Sequence, residues 1–413
     1  MAFEFRVRGI SKQEIKKLCI KYCRLFKKSD APIEAACRLF LELIYLYFSN
    51  DAEKLYKLFF PVIMANFTEN GSIHSVIQEY RETKNLHSYS YTYRMLRKLD
   101  EDVGLDISRI FRKIMFKILK TAGFKNKGCC IAIDVTAKPF YGNKNLLMVK
   151  GCQRKASTNY AIQYLTASIV EEGVRFNLLC LPLPCLASVS RTFENLVREI
   201  RKTVPIKLMF LDRAFGNKKY SKILKLLGHK FMMPITRNRK LKELELCMKE
   251  QSIACKGEYS IAAMGYIFGE DMAKEYQLNV RLIIVHEGDN IFFFITNIYN
   301  LSLSEYYSLT DAYRYRFGIE TNYRVDNVFS PFTCSITANM RYLLMQMSLI
   351  AQDLWTLVNF LLHKKDRKQP REKLKKSCLV IDIVKARVKD LGFTWRPLIT
   401  AVQFKRRADR ILG

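Results

Sequence analysis

Two aspartates, Asp134 and Asp212, each follow a short apolar run that is typical of a buried β-strand. In open α/β sheets, reactive groups collect at the carboxyl ends of the strands. Two carboxylates on neighbouring strands would make a hard-oxygen site of the kind that binds divalent cations. An aspartate after a strand is also a common turn former or helix N-cap. Taken singly, each aspartate therefore admits both a chemical and a structural interpretation.

A third acidic residue, Glu320, follows Tyr313 and Arg316 at helical spacing. Positions i, i+3 and i+7 lie along one stripe of a helix, so the three side chains are predicted to share a face. An ordinary surface helix can also carry Tyr, Arg and Glu at this spacing. The stripe indicates a functional site only when it is considered together with Asp134 and Asp212.

The elements that must position these residues begin with residues 1–125, which read as all-helical. This region is rich in Lys and Arg and is the predicted DNA-binding domain. The stretch Ser90–Leu99 is predicted to be a capped helix with a basic, aromatic face. Such a helix is suited to contact DNA, and an ordinary solvated amphipathic helix would show the same pattern.

At Cys129 the pattern changes to strand-like runs that alternate with helices further along the chain, which predicts a mixed α/β sheet over residues 126–335. Residues of about 236–300 depart from this rhythm and are predicted to be a β-rich insertion with a hairpin turn at Glu287–Asn290. A helix is predicted from Ser304 past Glu320. Residues 336–413 are predicted to be a helical C-terminal region with a basic tail.

The charge of the chain points to a polyanionic partner. Its 413 residues include 69 Lys and Arg against 39 Asp and Glu, a net charge of +30. So basic a surface repels itself unless it meets a polyanion, and nucleic acid is the leading partner. An anionic membrane surface and a ribosome-like assembly are the alternatives. The 49% hydrophobic content excludes a disordered or collagen-like chain.

Other composition features narrow the class of protein. The 12 cysteines form no C-x-x-C pair and only five histidines are present, which argues against a zinc module. We expect reduced thiols in a cytoplasmic, nucleoid-associated protein without a secretory signal. Polar residues interrupt the apolar segment 343–362, so it is predicted to be a buried core helix and no membrane association is expected.

Several of these motifs, in this order, resemble the DDE transposases of insertion sequences, specifically the insertion-sequence-four type. That type carries the signature Tyr-x2-Arg-x3-Glu-x6-Lys, which Tyr313, Arg316 and Glu320 match. Asn327 stands at the lysine position, and Arg324 lies one helical turn before it. The resemblance also covers Ile131–Asp134, Phe210–Gly216, Phe294–Asn297 and Ser335–Leu344, and so spans residues of about 128–362.

The resemblance implies a ribonuclease H-like core that brings Asp134, Asp212 and Glu320 together as catalytic residues and ligands of two Mg²⁺ ions, with Mn²⁺ as a possible substitute. It implies DNA contacts by Tyr313, Arg316 and, in place of the missing lysine, Arg324. The implied activity is metal-dependent DNA cleavage and strand transfer at the ends of an insertion sequence. The implied partners are double-stranded DNA and a second copy of the chain, as a homodimer on paired ends.

Two other functions remain open on the residues alone. Asn327 at the lysine position would suit a catalytically degenerate or co-opted protein that only binds DNA. A ribonuclease H-like host nuclease would carry the same acids and cut DNA without preference for element ends. The basic surface would serve all three functions, because phosphate contacts dominate the affinity for DNA in each case.

Overall fold

The computed structural model describes residues 10–28, 39, 42–48, 52–67, 71–99, 101–121, 123–124, 128–155, 157–171, 174–252, 259–268, 277–288, 290–317, 329–362, 387–389 and 394–396. Three residues of the predicted site region, Glu320, Arg324 and Asn327, lie outside these ranges. So do the basic residues of the tail between 364 and 376.

Helices make up the N-terminal part, as predicted. Their bounds are α1 Lys12–Lys28, α2 Ala52–Phe67, α3 Ile73–Tyr80, α4 Tyr89–Leu96 and α5 Glu101–Thr121. Residues 42–47 are also helical. The predicted capped helix is α4, whose N-cap Ser88 accepts a hydrogen bond from the backbone N–H of Tyr91. This satisfies one of the donors that a helix start leaves without a partner.

In the described residues from 128 to 362, nine strands and five further α-helices follow. The strands are β1 Cys129–Pro139, β2 Val149–Lys155, β3 Thr158–Glu171, β4 Val174–Pro182, β5 Ile206–Leu211, β6 Phe231–Pro234, β7 Ser260–Phe268, β8 Leu278–Glu287 and β9 Asn290–Thr296. The helices are α6 Val189–Arg201, α7 Lys218–Leu226, α8 Arg239–Ser252, α9 Leu303–Arg314 and α10 Ala338–Leu362.

The nine strands form one mixed sheet in the order β2-β3-β1-β5-β6-β9-β8-β7, with β4 also paired to β3. β1 is antiparallel to β3 and parallel to β5, and β5 is parallel to β6. Parallel neighbours need a crossover connection, and α6 and α7 lie in the chain before β5 and β6 respectively. The fold class predicted from the sequence, a ribonuclease H-like mixed sheet with helical flanks, is confirmed.

The predicted β-rich insertion contains three strands, and its hairpin is confirmed by the antiparallel pairing of β8 and β9 around Glu287 and Asn290. Two features were not predicted. The segment opens with a helix, α8, and its strands extend the main sheet because β9 pairs with β6. Without β9, β6 would present unpaired backbone groups at the edge of the sheet.

The two faces of the sheet bury different side chains. Ile131, Ile133, Met209 and Leu211 belong to a large core cluster that also includes buried residues of α5, α6 and α10. Ala132 and Phe210, which point the other way, belong to a smaller cluster with residues of α9. α10 is thus a core helix, as predicted. Among the described residues, no helix is long and apolar enough to cross a membrane.

Three parts of the chain differ from their predictions. β1 continues beyond Asp134 to Pro139, because β3 still pairs with it there. α9 ends at Arg314, with Tyr315 as its C-cap, so the described part of the predicted stripe is not one continuous helix. The C-terminal region predicted to be helical also contains a two-stranded antiparallel pair, β10 Arg387–Lys389 and β11 Thr394–Arg396.

Candidate functional site

Asp134 and Asp212 are brought together by the parallel pairing of β1 and β5. The last paired residues of the two strands are Ile133 and Leu211, and each aspartate is the next residue along its strand. Neighbouring strands lie about 4.8 Å apart. The two aspartates therefore occupy adjacent positions where β1 and β5 separate. Asp134 is half-buried, and the Asp212 side chain is 41% exposed.

Both aspartates lie on the face of the sheet that α9 covers. Side chains alternate between the faces of a strand, so Asp134 shares its face with Ala132, and Asp212 shares its face with Phe210. Ala132 and Phe210 pack in the smaller core cluster together with Tyr313 of α9. Of the two, Asp212 contacts the segment that follows α9, through Arg316.

The surroundings of Asp212 do not support the simple capping interpretation. Asp212 occupies the N-cap position of a short 3₁₀ turn, Arg213–Phe215, but its side chain makes no capping hydrogen bond there. The turn closes at Gly216, where an added Cβ would overlap the carbonyl oxygen of Pro234. The motif from Asp212 to Gly216 thus folds tightly against β6, and the Asp212 carboxylate is not used to cap the turn.

Tyr313 is a buried residue that supports the strand carrying Asp212. Its hydroxyl donates a 3.0 Å hydrogen bond to the carbonyl oxygen of Leu211, and its ring packs edge-on against Phe210 and Phe294. Burial raises the pKa of the Tyr313 hydroxyl. Tyr313 is 5% exposed, and its contacts make it a positioning residue for the strand that precedes Asp212. The predicted contact between Tyr313 and DNA stays a prediction.

Arg316 lies next to Asp212. Its Nη1 atom is 3.7 Å from the Oδ1 atom of Asp212, and the arginine side chain is 6% exposed. Its guanidinium also lies over the Phe317 ring, 4.7 Å from the centroid. Arg316 thus contacts Asp212 directly, whereas Tyr313 contacts Leu211, the residue before Asp212. That these residues serve one catalytic site stays a prediction. The structure does not describe Glu320 or Arg324, so their places in the site stay predictions.

A cleft of about 480 Å³ opens beside this group. Besides Asp212, Tyr313 and Arg316, its lining includes three charged residues that the sequence analysis did not single out: Arg213, Glu287 and Arg314. Arg314 pairs with Glu287 at 3.1 Å, which links α9 to the β8–β9 hairpin. Arg213 had a sequence signal, since it follows Asp212 directly. Glu287 had none, because its place depends on how the hairpin packs.

The pair Thr296–Asn297, part of the sequence resemblance, has a structural role. The Thr296 hydroxyl donates to the carbonyl oxygen of Phe231 at 2.6 Å. The Asn297 side chain accepts from the backbone N–H of Phe231 and donates to the carbonyl oxygen of His229. These bonds tie the end of β9 to the start of β6, and so fix the extension of the sheet to the part that carries Asp212.

The donor set fits a hard divalent cation only in part. Carboxylate oxygens are the ligands that Mg²⁺ and Mn²⁺ prefer, and Asp134 and Asp212 supply them at adjacent positions. In the parts of the chain that the structure describes, no group of three or more His, Cys, Asp or Glu side chains could hold a metal ion. The third predicted ligand, Glu320, is outside those parts.

Comparisons with known proteins bear on the fold. The chain is similar to piggyBac transposase in a cryo-EM structure of its synaptic complex with hairpin DNA. The TM-score is 0.51 and the sequence identity is 12%, and the match covers 100% of this chain and 85% of that chain. No family model matches the sequence, and no curated protein matches it. The structural likeness agrees with the ribonuclease H-like fold expected from the sequence and shows the fold alone. The insertion-sequence-four type stays a prediction.

Proposed function

We propose that this protein is a DNA transposase that cleaves DNA at the ends of a mobile element and transfers the strands to a target. The observation that carries the proposal is the adjacency of Asp134 and Asp212 where β1 and β5 separate, beside a cleft lined by three arginines. The likeness of the fold to a transposase supports the same proposal. Assignment to the insertion-sequence-four type rests on the sequence motifs alone.

We propose Asp134, Asp212 and Glu320 as the residues that would hold two Mg²⁺ ions. When bound, such ions neutralise the carboxylates, activate a water or DNA hydroxyl and stabilise the leaving oxygen of a phosphodiester. Asp134 lies in β1 and Asp212 directly follows β5, so the paired strands set the backbone positions of both before substrate binds. Such preorganisation is what metal and phosphate sites require.

The arginines of the cleft would bind DNA phosphates. Arg213 and Arg314 are exposed, and a guanidinium can contact a phosphate through two parallel hydrogen bonds. Arg316 is buried against Asp212, so in this role it would orient the carboxylate and contact only a phosphate that enters the cleft. The family resemblance further suggests a homodimer that acts on paired DNA ends.

A cleavage assay tests the proposal. Purified protein would be incubated with DNA from the flanks of its coding sequence and either Mg²⁺ or Mn²⁺. We expect Asp134→Ala, Asp212→Ala and Glu320→Ala each to lower the cleavage rate by at least about a thousandfold, because each removes a group that acts as part of one unit. Duplex DNA binding, measured by fluorescence polarisation, should change little.

Asp311→Ala is the matched control, because Asp311 is an exposed carboxylate on α9 that does not line the cleft. It should cleave at the wild-type rate. Cleavage that survives excess chelator, or that persists in Asp134→Ala or Asp212→Ala, would contradict the proposed chemistry.

One sequence observation favours a second function. Asn327 replaces the lysine of the family signature, which is what a degenerate transposase that only binds DNA would show. Such a protein would bind element ends in the same assay and cut none of them with either metal. A host nuclease of the same fold would instead cut DNA with and without element ends at similar rates.

A further inference from the structure

A second and larger cleft lies at the far end of β1. Its volume is about 900 Å³, and it is bounded by Lys138–Gly142 on one side and by residues 330–336 on the other. It shares no lining residue with the cleft beside Asp212. The function proposed above therefore leaves this cleft unassigned.

Aromatic and basic side chains line the second cleft. Phe140 and Tyr164 are buried in its wall, whereas Tyr141 and Phe332 are exposed by 67% and 68%. Lys138 and Arg341 are its charged lining residues, and none of the described residues that line it is acidic. Large exposed aromatic side chains beside cations are typical of a surface that binds a partner.

Hydrogen bonds hold both walls in place. The Phe140 N–H donates to the carbonyl oxygen of Tyr160 at 2.9 Å, and the Thr158 hydroxyl donates to the Phe140 carbonyl oxygen at 2.8 Å. On the opposite wall, the Phe332 N–H donates to the carbonyl oxygen of Gly71 at 2.9 Å. The cleft is therefore formed before any ligand arrives, which lowers the entropic cost of binding.

Lys138 and Arg341 are held by the same walls. Lys138 Nζ donates to Ser330 Oγ at 3.1 Å and so spans the cleft. The Arg341 guanidinium lies 4.7 Å from the centroid of the Phe140 ring, and its Nε donates to the Ser335 carbonyl oxygen. Both cations are fixed where an anion in the cleft would meet them.

The aromatic surface continues onto α4. Phe332 of the cleft is hydrogen-bonded to Gly71, and the nearby His74 ring lies 5.0 Å from the Tyr89 ring of α4. The Tyr93 ring lies 5.6 Å from that of Tyr89. The Arg97 guanidinium lies over Tyr93 at 5.7 Å. A row of rings with interspersed arginines thus leads out of the cleft along the helix that the sequence predicted to contact DNA.

The distance to the proposed catalytic site is short. Lys138 follows Asp134 by four residues on the same strand, which is about 13 Å at the rise of a β-strand. A DNA strand with its scissile phosphate near Asp134 would reach the cleft within a few nucleotides.

From these observations we propose that the second cleft binds unpaired nucleotides of the DNA substrate, close to the cut. Bases stack on aromatic rings whatever their sequence, and cations beside the rings bind the backbone of a single strand. A volume of about 900 Å³ is that of a small-molecule pocket, which is large enough for single nucleotides. This inference rests on the proposed action on DNA.

The test compares single-stranded and duplex DNA. Tyr141 and Phe332 are exposed, so the double variant Tyr141→Ala/Phe332→Ala should fold normally, which its thermal unfolding midpoint checks. Binding of a fluorescently labelled single-stranded oligothymidine and of a duplex of equal length would be measured by fluorescence polarisation. We expect binding of the single strand to weaken about tenfold or more, with binding of the duplex changed by less than about twofold.

Leu226→Ala is the control, because Leu226 is 75% exposed on α7 and lines neither cleft. It should bind both DNAs like the wild type, and the conservative variant Phe332→Tyr should retain binding of the single strand. Equal losses for single strand and duplex, or no loss at all, would overturn the inference. So would a change of oligomeric state on gel filtration without a loss of single-strand binding, since that would assign the cleft to a second copy of the chain.

The two proposals fail in different ways. A wild-type protein that binds and cuts duplex DNA but has no affinity for the oligothymidine would overturn this inference and leave the transposase proposal standing. A wild-type protein that binds neither DNA would overturn both.

Discussion

At the scale of single residues, Arg316 would both orient the Asp212 carboxylate and oppose the binding of a metal ion to it. The Arg316 guanidinium lies 3.7 Å from a carboxylate that we propose as a metal ligand. A positive charge at that distance opposes the binding of a cation, and a partly buried pair is weakly screened by salt. Entry of a DNA phosphate would give Arg316 another partner.

Removing the charge of Arg316 should therefore strengthen metal binding by the DNA-free protein. We expect Arg316→Gln to bind Mn²⁺ about three- to tenfold more tightly than the wild type, as measured by electron paramagnetic resonance titration. The control is Arg314→Gln, because Arg314 is 56% exposed and paired with Glu287. Unchanged or weaker Mn²⁺ binding by Arg316→Gln would show that Arg316 does not compete for Asp212.

The residue types of the site could be read from the sequence, but their contacts could not. The apolar runs before Asp134 and Asp212 predicted that each aspartate follows a buried strand, and the family resemblance implied that the two carboxylates come together. The burial of Arg316 against Asp212 depends on where α9 ends, and α9 ends two residues before Arg316. Helical spacing alone cannot show such an end, because Tyr315 and Arg316 are compatible with helix.

At the scale of elements, the turn after β5 is the most constrained part of the site. Gly216 has ordinary negative φ, so its requirement is one of space: a Cβ would overlap the Pro234 carbonyl oxygen of β6. Backbone atoms on a paired strand cannot move aside cheaply. The turn and Asp212 must therefore shift together if the glycine is replaced.

We expect Gly216→Ala to lower the free energy of unfolding by about 2–4 kcal/mol, as forced overpacking does in a rigid region. Urea unfolding followed by circular dichroism would measure the change. Gly265→Ala is the matched control, since nothing lies within 4 Å of a Cβ at Gly265 of β7. Equal stability of the two variants would contradict the packing described for this turn.

The strands and the hairpin of β8 and β9 were predictable from the sequence, and pairings between strands far apart in the chain were not. Alternating and continuous apolar runs marked β1, β3, β4, β5, β6, β8 and β9. Pairing of β6 with β9 joins residues 231–234 to residues 294–296, and a pattern within either strand contains no information about a partner so distant. The same limitation concealed the continuation of β1, whose second half is held by β3 alone.

At the scale of the whole molecule, a buried polar network joins the N-terminal helices to the sheet. Arg112 of α5 lies 3.6 Å from Asp353 of α10, and both side chains are fully buried. Asp353 accepts hydrogen bonds from the backbone and side-chain N–H groups of Asn177 on β4. Breaking such a pair leaves an uncompensated buried charge, which is strongly destabilising.

This network should make stability fall as the pH rises. Burial raises the pKa of Asp353 from 3.8 to about 7, while Arg112 and Asn177 oppose the rise. A carboxyl whose pKa is higher in the folded state stabilises that state below about pH 4 and loses this contribution as the pH rises through about 7. Between pH 5 and pH 8, the free energy of unfolding of the wild type should fall by about 1–3 kcal/mol more than that of the double variant Arg112→Met/Asp353→Asn.

Urea unfolding at several pH values would measure the difference. Glu194→Gln serves as the control, because Glu194 forms an exposed pair with Arg198 within α6 and should leave the profile unchanged. If the free energy of unfolding of the wild type, minus that of the double variant, stays constant or rises with pH, the pKa of Asp353 is not raised by folding.

The late position of α10 in the sequence also affects the nascent protein during its synthesis. Domains form from the N-terminus during synthesis, at about 5–20 residues per second. The strands β1 to β9 and helix α5 leave the ribosome before α10, which supplies Asp353 and much of the large core. Until α10 emerges, Arg112 has no carboxylate from that helix, and the apolar face that α10 covers is open to other chains. The nascent protein is therefore most exposed to aggregation and to chaperones late in its synthesis, when its sheet strands have already been translated.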